Sequence, residues 1–367
     1  NRDLTAEELE VVTHVITQAL DEGALGCSFG LEYSHANFVK TEEILRIAKA
    51  LKPYRKLITC HLRDEGVDLL DSLEEILLIA HQTGLELEIS HFKAEGKSNW
   101  KKFDKALMMI NKARDNGIKV NFDLYPYTVS STALYTFLPR WVSQGGRDKM
   151  LARIKDKKQR QRIIEDMISG PFDYSDMQIA SCPGDPSLSG KFINDIAVKN
   201  KLKLEEAILE VLSAGRGHAI VMDKNISEDN LKKAIAQQAC IISSNGAGYN
   251  SNHGSNQEEL VHPRNFGCFP RFLGRYVRAA KLMKWEEAIH VVTKKPADKI
   301  GLHGRGELKQ DNKADITVFD PEKIIDKASY DNPYLYSGGV EYTIVNGTIA
   351  YAKGRFGEEL DGKVIRL

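Results

Sequence analysis

The sequence predicts a parallel α/β fold, and two observations support it. Short apolar runs alternate with amphipathic helix patterns at roughly 30–35 residues per unit, which is typical of strands joined by crossover helices. The helix patterns also carry boundary signals: residues 72–83 place apolar side chains on one face, and Gly84 follows them. A chain of 367 residues can form one large barrel and a small additional unit.

The first 124 residues contain four predicted strands. Thr5 and Glu8 form a capping-box pattern that predicts a helix to about residue 20, and Gly23 ends it. Strands are predicted at residues 27–33, 56–60, 85–90 and 118–124, with helices at residues 41–51, 72–83 and 100–115 between them.

The pattern changes after residue 140. Residues 140–170 are basic and helical in pattern, and residues 203–214 and 227–238 carry apolar side chains at helix spacing. We therefore expect a solvated helical insertion over about residues 140–235. A strand at residues 239–243 and a helix at residues 285–293 then resume the alternation.

The tail differs from the rest of the chain. Residues 314–320 and 342–351 alternate apolar and polar side chains, as half-buried antiparallel strands do. Asn346-Gly347 is a strong signal for a tight hairpin turn. A small β unit is therefore expected to close the chain.

Composition excludes several classes of partner. Lys plus Arg and Asp plus Glu both number 51, so the zero formal net charge favours neither nucleic acid nor an anionic membrane as partner. No apolar run approaches the roughly 18 residues of a membrane span. The five cysteines form no CxxC pair, which argues against a disulfide scaffold and favours a reducing, cytoplasmic location.

Two histidines are the strongest functional signal. His61 and His91 each follow a short apolar run, one β/α unit apart, so both are expected at the carboxyl ends of strands. In a parallel barrel those ends share one face, where active sites are built. Neutral imidazole is the commonest metal ligand and suits zinc, so the pair predicts a metal-dependent enzyme.

Three further residues could contact a substrate. Lys93 lies two residues beyond His91, on the same side of an extended chain, and its amine could bind an anion or be a surface lysine. Tyr125 follows an apolar strand, where its hydroxyl could bind substrate or its ring could simply pack. Arg264 lies in the loop after the strand at residues 239–243, where it could clamp a carboxylate or remain an ordinary loop arginine.

These segments together resemble the N-acyl-D-amino-acid deacylases, or D-aminoacylases, of the amidohydrolase superfamily, and the likeness covers nearly the whole chain. The motifs that carry it are Gly23-Ala24-Leu25-Gly26, Gly30-Leu31-Glu32-Tyr33, His61-Leu62-Arg63-Asp64-Glu65-Gly66, Ile89-Ser90-His91-Phe92-Lys93, Asp123-Leu124-Tyr125-Pro126-Tyr127, His262-Pro263-Arg264, Phe269-Pro270-Arg271-Phe272-Leu273-Gly274-Arg275-Tyr276 and Gly362-Lys363-Val364-Ile365-Arg366-Leu367.

The resemblance implies a (β/α)8, or TIM, barrel of the metal-dependent hydrolase type with a small β-sandwich. Residues 1–310 would form the barrel with its helical insertion, and residues 311–367 the C-terminal part of the sandwich. The implied reaction is zinc-dependent hydrolysis of an N-acyl-D-amino acid to a carboxylate and a D-amino acid. The resemblance implies His61 and His91 as zinc ligands. It also implies four substrate-facing residues: Tyr33, Lys93, Tyr125 and Arg264.

Two departures from the family pattern affect this expectation. The family carries an aspartate base at the end of strand eight, where this chain has Asn245. A carboxamide cannot accept and deliver a proton at neutral pH, so catalysis should be impaired by about 10²–10⁴-fold. An engineered change, a natural pseudoenzyme and deamidation of Asn245-Gly246 remain open as explanations.

The second departure concerns the strand-one His-x-His motif and the strand-two cysteine of the family, both of which precede the first residue here. Two histidines alone bind zinc weakly, so the missing N-terminal segment, in the same or a separate chain, is an expected partner.

Two other functions remain open. One is a cyclic-amide hydrolase of the same superfamily, similar to a dihydroorotase or hydantoinase. The other is a non-catalytic binding protein that kept the barrel and lost the base, which Asn245 favours.

Overall fold

The computed structural model describes residues 4–249, 259–359 and 361–366. Its central element is a five-stranded parallel sheet with the strand order β1-β2-β3-β4-β8. The strands of this sheet are β1 Gly26–Gly30, β2 Leu57–His61, β3 Leu87–Ile89, β4 Val120–Leu124 and β8 Cys240–Ile242.

Helices follow the strands as the alternation predicts. They are α1 Ala6–Asp21, α2 Thr41–Leu51, α3 Leu69–Thr83 and α4 Phe103–Asp115, the last preceded by a 3-10 turn at Lys97–Lys102. The predicted capping box on Thr5 and Glu8 is confirmed. Gly84 ends α3 in the left-handed region, at a φ of 70°. Apolar side chains from both layers form one continuous core around the sheet.

The insertion is not wholly helical, and that prediction was wrong in part. It contains α5 Arg140–Ser143, α6 Arg147–Lys155, α7 Lys157–Ile168, α8 Ile193–Asn200 and α9 Leu204–Ala214. It also contains β6 Gln178–Ser181 and β7 Ile220–Asp223, which form an antiparallel sheet with β5 Ser130–Ala133, just before the insertion, in the order β5-β7-β6. All four residues of β6 are buried, so the strand lacks the apolar–polar alternation that would have revealed it.

The insertion has its own apolar core, separate from that of the parallel sheet. The chain returns to the parallel sheet through α10 Glu228–Ile235, which precedes β8. Beyond β8 follow α11 Arg264–Arg271, a π-helical segment Phe272–Ala279, α12 Trp285–Val292 and α13 Lys294–Lys299.

The tail forms a four-stranded antiparallel sheet in the order β12-β11-β10-β9. Its strands are β9 Ile316–Phe319, β10 Val340–Val345, β11 Thr348–Ala352 and β12 Arg355–Phe356. The predicted hairpin turn is confirmed: Asn346 and Gly347 both have positive φ, at 49° and 95°. The division of the chain at residue 310 stays a prediction.

Two predicted boundaries were wrong. The first strand ends at Gly30, so Tyr33 is not in a strand; its carbonyl accepts the amide hydrogens of Ala36 and Asn37 in a turn. Arg264 lies in no loop, because Pro263 is the N-cap of α11 and Arg264 is its first residue. Among the described helices, none has the length and apolar character needed to cross a bilayer.

Candidate metal centre

The two predicted metal ligands lie side by side at the carboxyl edge of the parallel sheet. His61 is the last residue of β2, and His91 lies just beyond the end of β3. Their ring centroids are 4.4 Å apart, and Nδ1 of His61 is 2.9 Å from Nε2 of His91. The structure therefore brings together the two rings that the sequence pairs.

The second ring nitrogen of each imidazole contacts a carboxylate. Nε2 of His61 is 2.8 Å from Oε2 of Glu32, and Nδ1 of His91 is 3.1 Å from Oε1 of Glu65. A carboxylate on the far nitrogen of a metal-binding histidine sets its tautomer and ring orientation. The remaining nitrogens, Nδ1 of His61 and Nε2 of His91, are thereby directed toward one another.

The backbone of His91 is held by the next strand. Its φ of 38° lies in the left-handed region, which a non-glycine residue rarely adopts. Its amide donates a hydrogen bond to Oδ1 of Asp123, which belongs to β4, over 3.0 Å. Burial raises the pKa of Asp123 to about 6, although the hydrogen bond from His91 opposes that shift.

The donor set fits a divalent metal ion. Ligand atoms of His61, Glu65 and His91 all lie within 4.8 Å of one another. Burial and the charge of Lys93 lower the pKa of His91 to about 4, which leaves its ring in the neutral form that binds metals. Zinc bonds nitrogen at about 2.0–2.1 Å, so two tetrahedral nitrogen ligands are roughly 3.3 Å apart. The 2.9 Å distance between Nδ1 of His61 and Nε2 of His91 is close to that spacing.

Burial opposes protonation of His61, but the carboxylates of Glu65 and Glu32 outweigh it and raise the pKa of this ring. A divalent ion would occupy the same negative field. The two histidines therefore differ in protonation: the surroundings favour the protonated ring of His61 and the neutral ring of His91, although the rings lie side by side.

Lys93 and Glu65 form an ion pair beside the histidines. Both side chains are buried and in direct contact. Burial raises the pKa of Glu65 taken alone, but Lys93, His91 and His61 outweigh it and lower the pKa overall. For Lys93, burial lowers the pKa, and Glu65 outweighs that penalty so that the amine stays charged. The amine also lies 3.3 Å from Nδ1 of His91. The carboxylate of Glu65 contacts both the lysine amine and the histidine ring.

Arg264 is a buried guanidinium with spare donors. Its Cζ lies 4.5 Å from the ring centre of Tyr125, a cation–π contact. Within the described part of the chain, its Nε and Nη1 have no hydrogen-bond partner. A buried charged donor without a partner is costly, so this position favours an anionic ligand. The Arg264 amide is fixed by a 3.0 Å hydrogen bond to Nδ1 of His262.

Tyr33 packs against His61 from the turn after β1. Its ring centroid is 4.9 Å from that of His61. Burial, with the negative charges of Glu32 and Glu65, raises the pKa of Tyr33 to about 12. Its hydroxyl therefore remains protonated at neutral pH and can donate a hydrogen bond.

Asn245 follows β8 at the same edge of the sheet. It is exposed and has a φ of 44°, and its amide donates to Oγ of Ser243 over 3.4 Å. Across residues 4–249, 259–359 and 361–366, neither His61 nor His91 is a hydrogen-bond partner of its side chain. Its role as the position of the base stays a prediction.

Glu32, Glu65 and Asp123 were not predicted from the sequence as functional residues. A signal existed, because each lies inside a motif that carries the family resemblance. Glu65 is four residues beyond His61, and Glu32 follows the end of β1. Strand-end position alone does not distinguish such carboxylates from surface ones.

A cavity of about 400 Å³ lies between the carboxyl edge of the sheet and the insertion. Glu32, Glu65 and Glu95 line it, and the first two are the carboxylates that contact His61 and His91. Residues 135–143 and 166–174 of the insertion form the opposite wall. The cavity is large enough for the side chain of a small substrate.

The amidohydrolase family model matches residues 261–351. Two curated relatives come from Alcaligenes xylosoxydans xylosoxydans. An N-acyl-D-glutamate deacylase is 29% identical over 95% of this chain and 62% of its own length. A D-aminoacylase is 28% identical over 99% of this chain and 66% of its own length. The chain thus spans less than two thirds of the length of these relatives.

A solved structure is also similar to this chain in sequence and in fold. The N-acyl-D-glutamate deacylase from Bordetella bronchiseptica, complexed with zinc and a phosphonate inhibitor, is 30% identical and superimposes with a TM-score of 0.79. The match covers 96% of this chain and 65% of that one. The fold is therefore the TIM-barrel α/β architecture of the amidohydrolases with a separate antiparallel sheet, as the resemblance implied.

Proposed function

Because the chain is similar over nearly its whole length to the N-acyl-D-amino-acid deacylases of the amidohydrolase superfamily, we propose that it carries most of a metal-dependent hydrolase of N-acyl-D-amino acids. The products would be a carboxylate and a D-amino acid. The observation that carries the proposal is the convergence of His61 and His91, each with a carboxylate on its far nitrogen.

In this proposal His61 and His91 would hold a zinc ion between their rings. Bound zinc lowers the pKa of a coordinated water toward about 7 and polarises an amide carbonyl. Glu32 and Glu65 would fix the tautomers of the two rings. A catalytic zinc site has three protein ligands and an open position, so at least one further ligand besides the two histidines would complete the set.

The residues around the metal centre would bind the rest of the substrate. Arg264 offers two unpaired nitrogens to the α-carboxylate, and the charged amine of Lys93 adds a second cation. Tyr125 orients the guanidinium through its ring face. Tyr33, protonated at neutral pH, is placed to donate to an oxygen of the substrate near His61.

Proton transfer is the step for which this chain lacks the acid–base residue of the family. The leaving amine must receive a proton, and a general acid–base group is worth about 10²–10⁴-fold in rate. Asn245 stands where the family has an aspartate, and a carboxamide cannot carry that proton. The chain is therefore expected to bind substrate but to hydrolyse it slowly.

The test is a substrate comparison with zinc supplied. N-acetyl-D-amino acids, their L-enantiomers, hydantoins and dihydroorotate are assayed with the chain and with its Asn245→Asp variant. Hydrolysis confined to the N-acetyl-D-amino acids supports the proposal. Turnover of the cyclic amides instead would favour the dihydroorotase-like or hydantoinase-like alternative. Binding without turnover in both proteins would favour a binding protein. A cytoplasmic location is proposed with the function, since the five cysteines are free.

A further inference from the structure

The cavity beside the metal centre carries more negative than positive side chains. Its carboxylates belong to Glu32, Asp64, Glu65, Glu95 and Asp166. Among the described lining residues, the cations are Arg63 and Arg140. The charge that a substituent meets in this cavity therefore depends on whether these two guanidinium groups are free.

Arg63 is held by a bidentate ion pair with Glu75. Its Nε and Nη2 bond the two carboxylate oxygens of Glu75 over 2.9 and 2.8 Å. Its Nη1 donates to the carbonyl of Asn37 over 2.9 Å. A bidentate pair of this kind is strong and directional, so Glu75 fixes the guanidinium of Arg63 and balances its charge.

Arg140 is paired with carboxylates through one of its guanidinium nitrogens, Nη2. Its Nη2 lies 2.7 Å from Oδ2 of Asp64 and 3.6 Å from Oδ2 of Asp68. Asp64 is itself fixed, because its Oδ1 accepts the amide hydrogens of Gly66 and Asp68 over 2.8 and 3.0 Å. The pairing therefore joins the insertion to the loop after β2.

The remaining carboxylates face the cavity without a cation of their own in its wall. Glu95 accepts from the side-chain amide of Asn225 over 2.6 Å, and Asp166 accepts from Nε1 of Trp141 over 2.8 Å. Burial raises the pKa of Glu95 to about 7; Lys93 opposes the shift, and the charges of Glu32, Glu65 and Asp223 add to it. Carboxylates therefore outnumber cations among the described lining residues, and the one on Glu65 is paired with Lys93 behind the wall.

The opposite wall supplies aromatic surface. Tyr135, Phe137, Phe172 and Tyr174 line it, and the rings of Phe137 and Phe172 pack edge to face with centroids 5.1 Å apart. Aromatic faces favour apolar groups and cations, since the ring quadrupole repels negative charge.

We propose that this cavity receives the side chain of the N-acyl-D-amino acid and selects uncharged or cationic side chains over acidic ones. The inference rests on the proposed function for the site itself. An acidic side chain would lie among carboxylates and find both wall arginines already paired, so its buried charge would stay uncompensated. A leucine or phenylalanine side chain would instead bury apolar surface on the aromatic wall.

The test measures binding, so it does not depend on turnover. Dissociation constants of N-acetyl-D-leucine, N-acetyl-D-phenylalanine, Nα-acetyl-D-lysine and N-acetyl-D-glutamate are measured by calorimetry on the whole chain with zinc present. We expect N-acetyl-D-glutamate to bind at least tenfold more weakly than the other three. Equal or tighter binding of N-acetyl-D-glutamate would overturn the inference while leaving the proposed function intact. Failure of all four ligands to bind would instead remove the proposed function.

Two variants locate the selectivity. Asp64→Asn keeps an oxygen for the amides of Gly66 and Asp68 but frees the guanidinium of Arg140. It should raise the affinity for N-acetyl-D-glutamate, relative to N-acetyl-D-leucine, severalfold. The matched variant Arg140→Gln should not lower that ratio. A tenfold fall of the ratio in Arg140→Gln would show that Arg140 binds the acidic side chain, and the inference would be wrong.

Discussion

Nε2 of His61 lies 2.8 Å from Oε2 of Glu32, while Nδ1 of the same ring lies 2.9 Å from His91. The His61 ring therefore contacts a carboxylate through Nε2 and the second histidine through Nδ1. This arrangement is the structural basis for treating the pair as a metal centre, since a metal-binding histidine almost always uses its other ring nitrogen to bond a carboxylate, a backbone carbonyl or a water.

Replacing either histidine should remove the bound metal. His61→Ala and His91→Ala each delete one of two converging nitrogen ligands, so zinc content after dialysis should fall to background. Elemental analysis of the purified variants measures this. His14→Ala, at an exposed position on α1, is the control and should retain the zinc of the parent chain. Unchanged zinc in both site variants would contradict the metal centre.

Glu65→Gln should weaken zinc binding and destabilise the fold at the same time. Loss of a carboxylate behind a ligand histidine typically costs about 10–100-fold in metal affinity. Removing one partner of a buried ion pair also costs about 3–5 kcal/mol, because the charge of Lys93 is left alone. Zinc titration and urea unfolding measure the two effects separately. The exposed Glu286→Gln is the control. A variant with parental zinc affinity would show that Glu65 does not orient His91.

Arg264→Lys should weaken substrate binding more than it slows turnover. Lysine keeps the charge but loses the planar fork that offers Nε and Nη1 to one carboxylate. Loss of a buried charge-assisted contact costs about 2–5 kcal/mol in binding. Calorimetry with N-acetyl-D-leucine, compared with the exposed Arg46→Lys, gives the effect directly. Parental affinity in Arg264→Lys would place the α-carboxylate elsewhere.

Asn245→Asp should restore turnover by about 10²–10⁴-fold, provided that the remaining metal ligands are present, because it supplies the missing proton carrier. The matched control is Asn245→Gln, which keeps a carboxamide and should remain slow. Steady-state release of D-amino acid from an N-acetyl-D-amino acid measures both. Equal rates in the two variants would show that residue 245 is not the base.

Glu88 should make the fold less stable as the pH rises. Its two carboxylate oxygens are buried without a hydrogen-bond partner in the part of the chain that the structure describes. Burial, with the charge of Asp123, raises the pKa of Glu88 to about 8, and Lys299 and Lys295 only partly oppose the shift. The folded state therefore holds this proton more tightly than the unfolded state, and stability should decline between about pH 4.5 and pH 8.

Glu88→Gln should flatten that decline and leave the variant more stable than the parent at pH 8, by up to a few kcal/mol. Urea unfolding at several pH values measures it. Glu86→Gln is the matched control, since Glu86 is only partly buried and is paired with Lys119. If Glu88→Gln kept the parental slope, Glu88 would be ionised in the folded chain at neutral pH.

Much of the architecture could be predicted from local patterns. The alternation of strands and helices, the capping box at Thr5 and the turn at Asn346-Gly347 are each encoded within a few residues, because caps, turns and amphipathic faces depend on short-range spacing. The short strand β6 could not be predicted in this way. It is buried on both faces, so its side-chain pattern matches that of a buried helix segment equally well.

The sequence by itself determined that His61 and His91 would stand at neighbouring strand ends, because β2 and β3 are consecutive parallel strands, His61 ends the first and His91 lies just beyond the second. Only the tertiary structure decided what surrounds them. Glu32 and Glu65 reach the far nitrogens of these rings across 29 and 26 residues of chain. Such contacts depend on the depth and direction of side chains at a shared rim, and spacing along a chain does not specify either quantity.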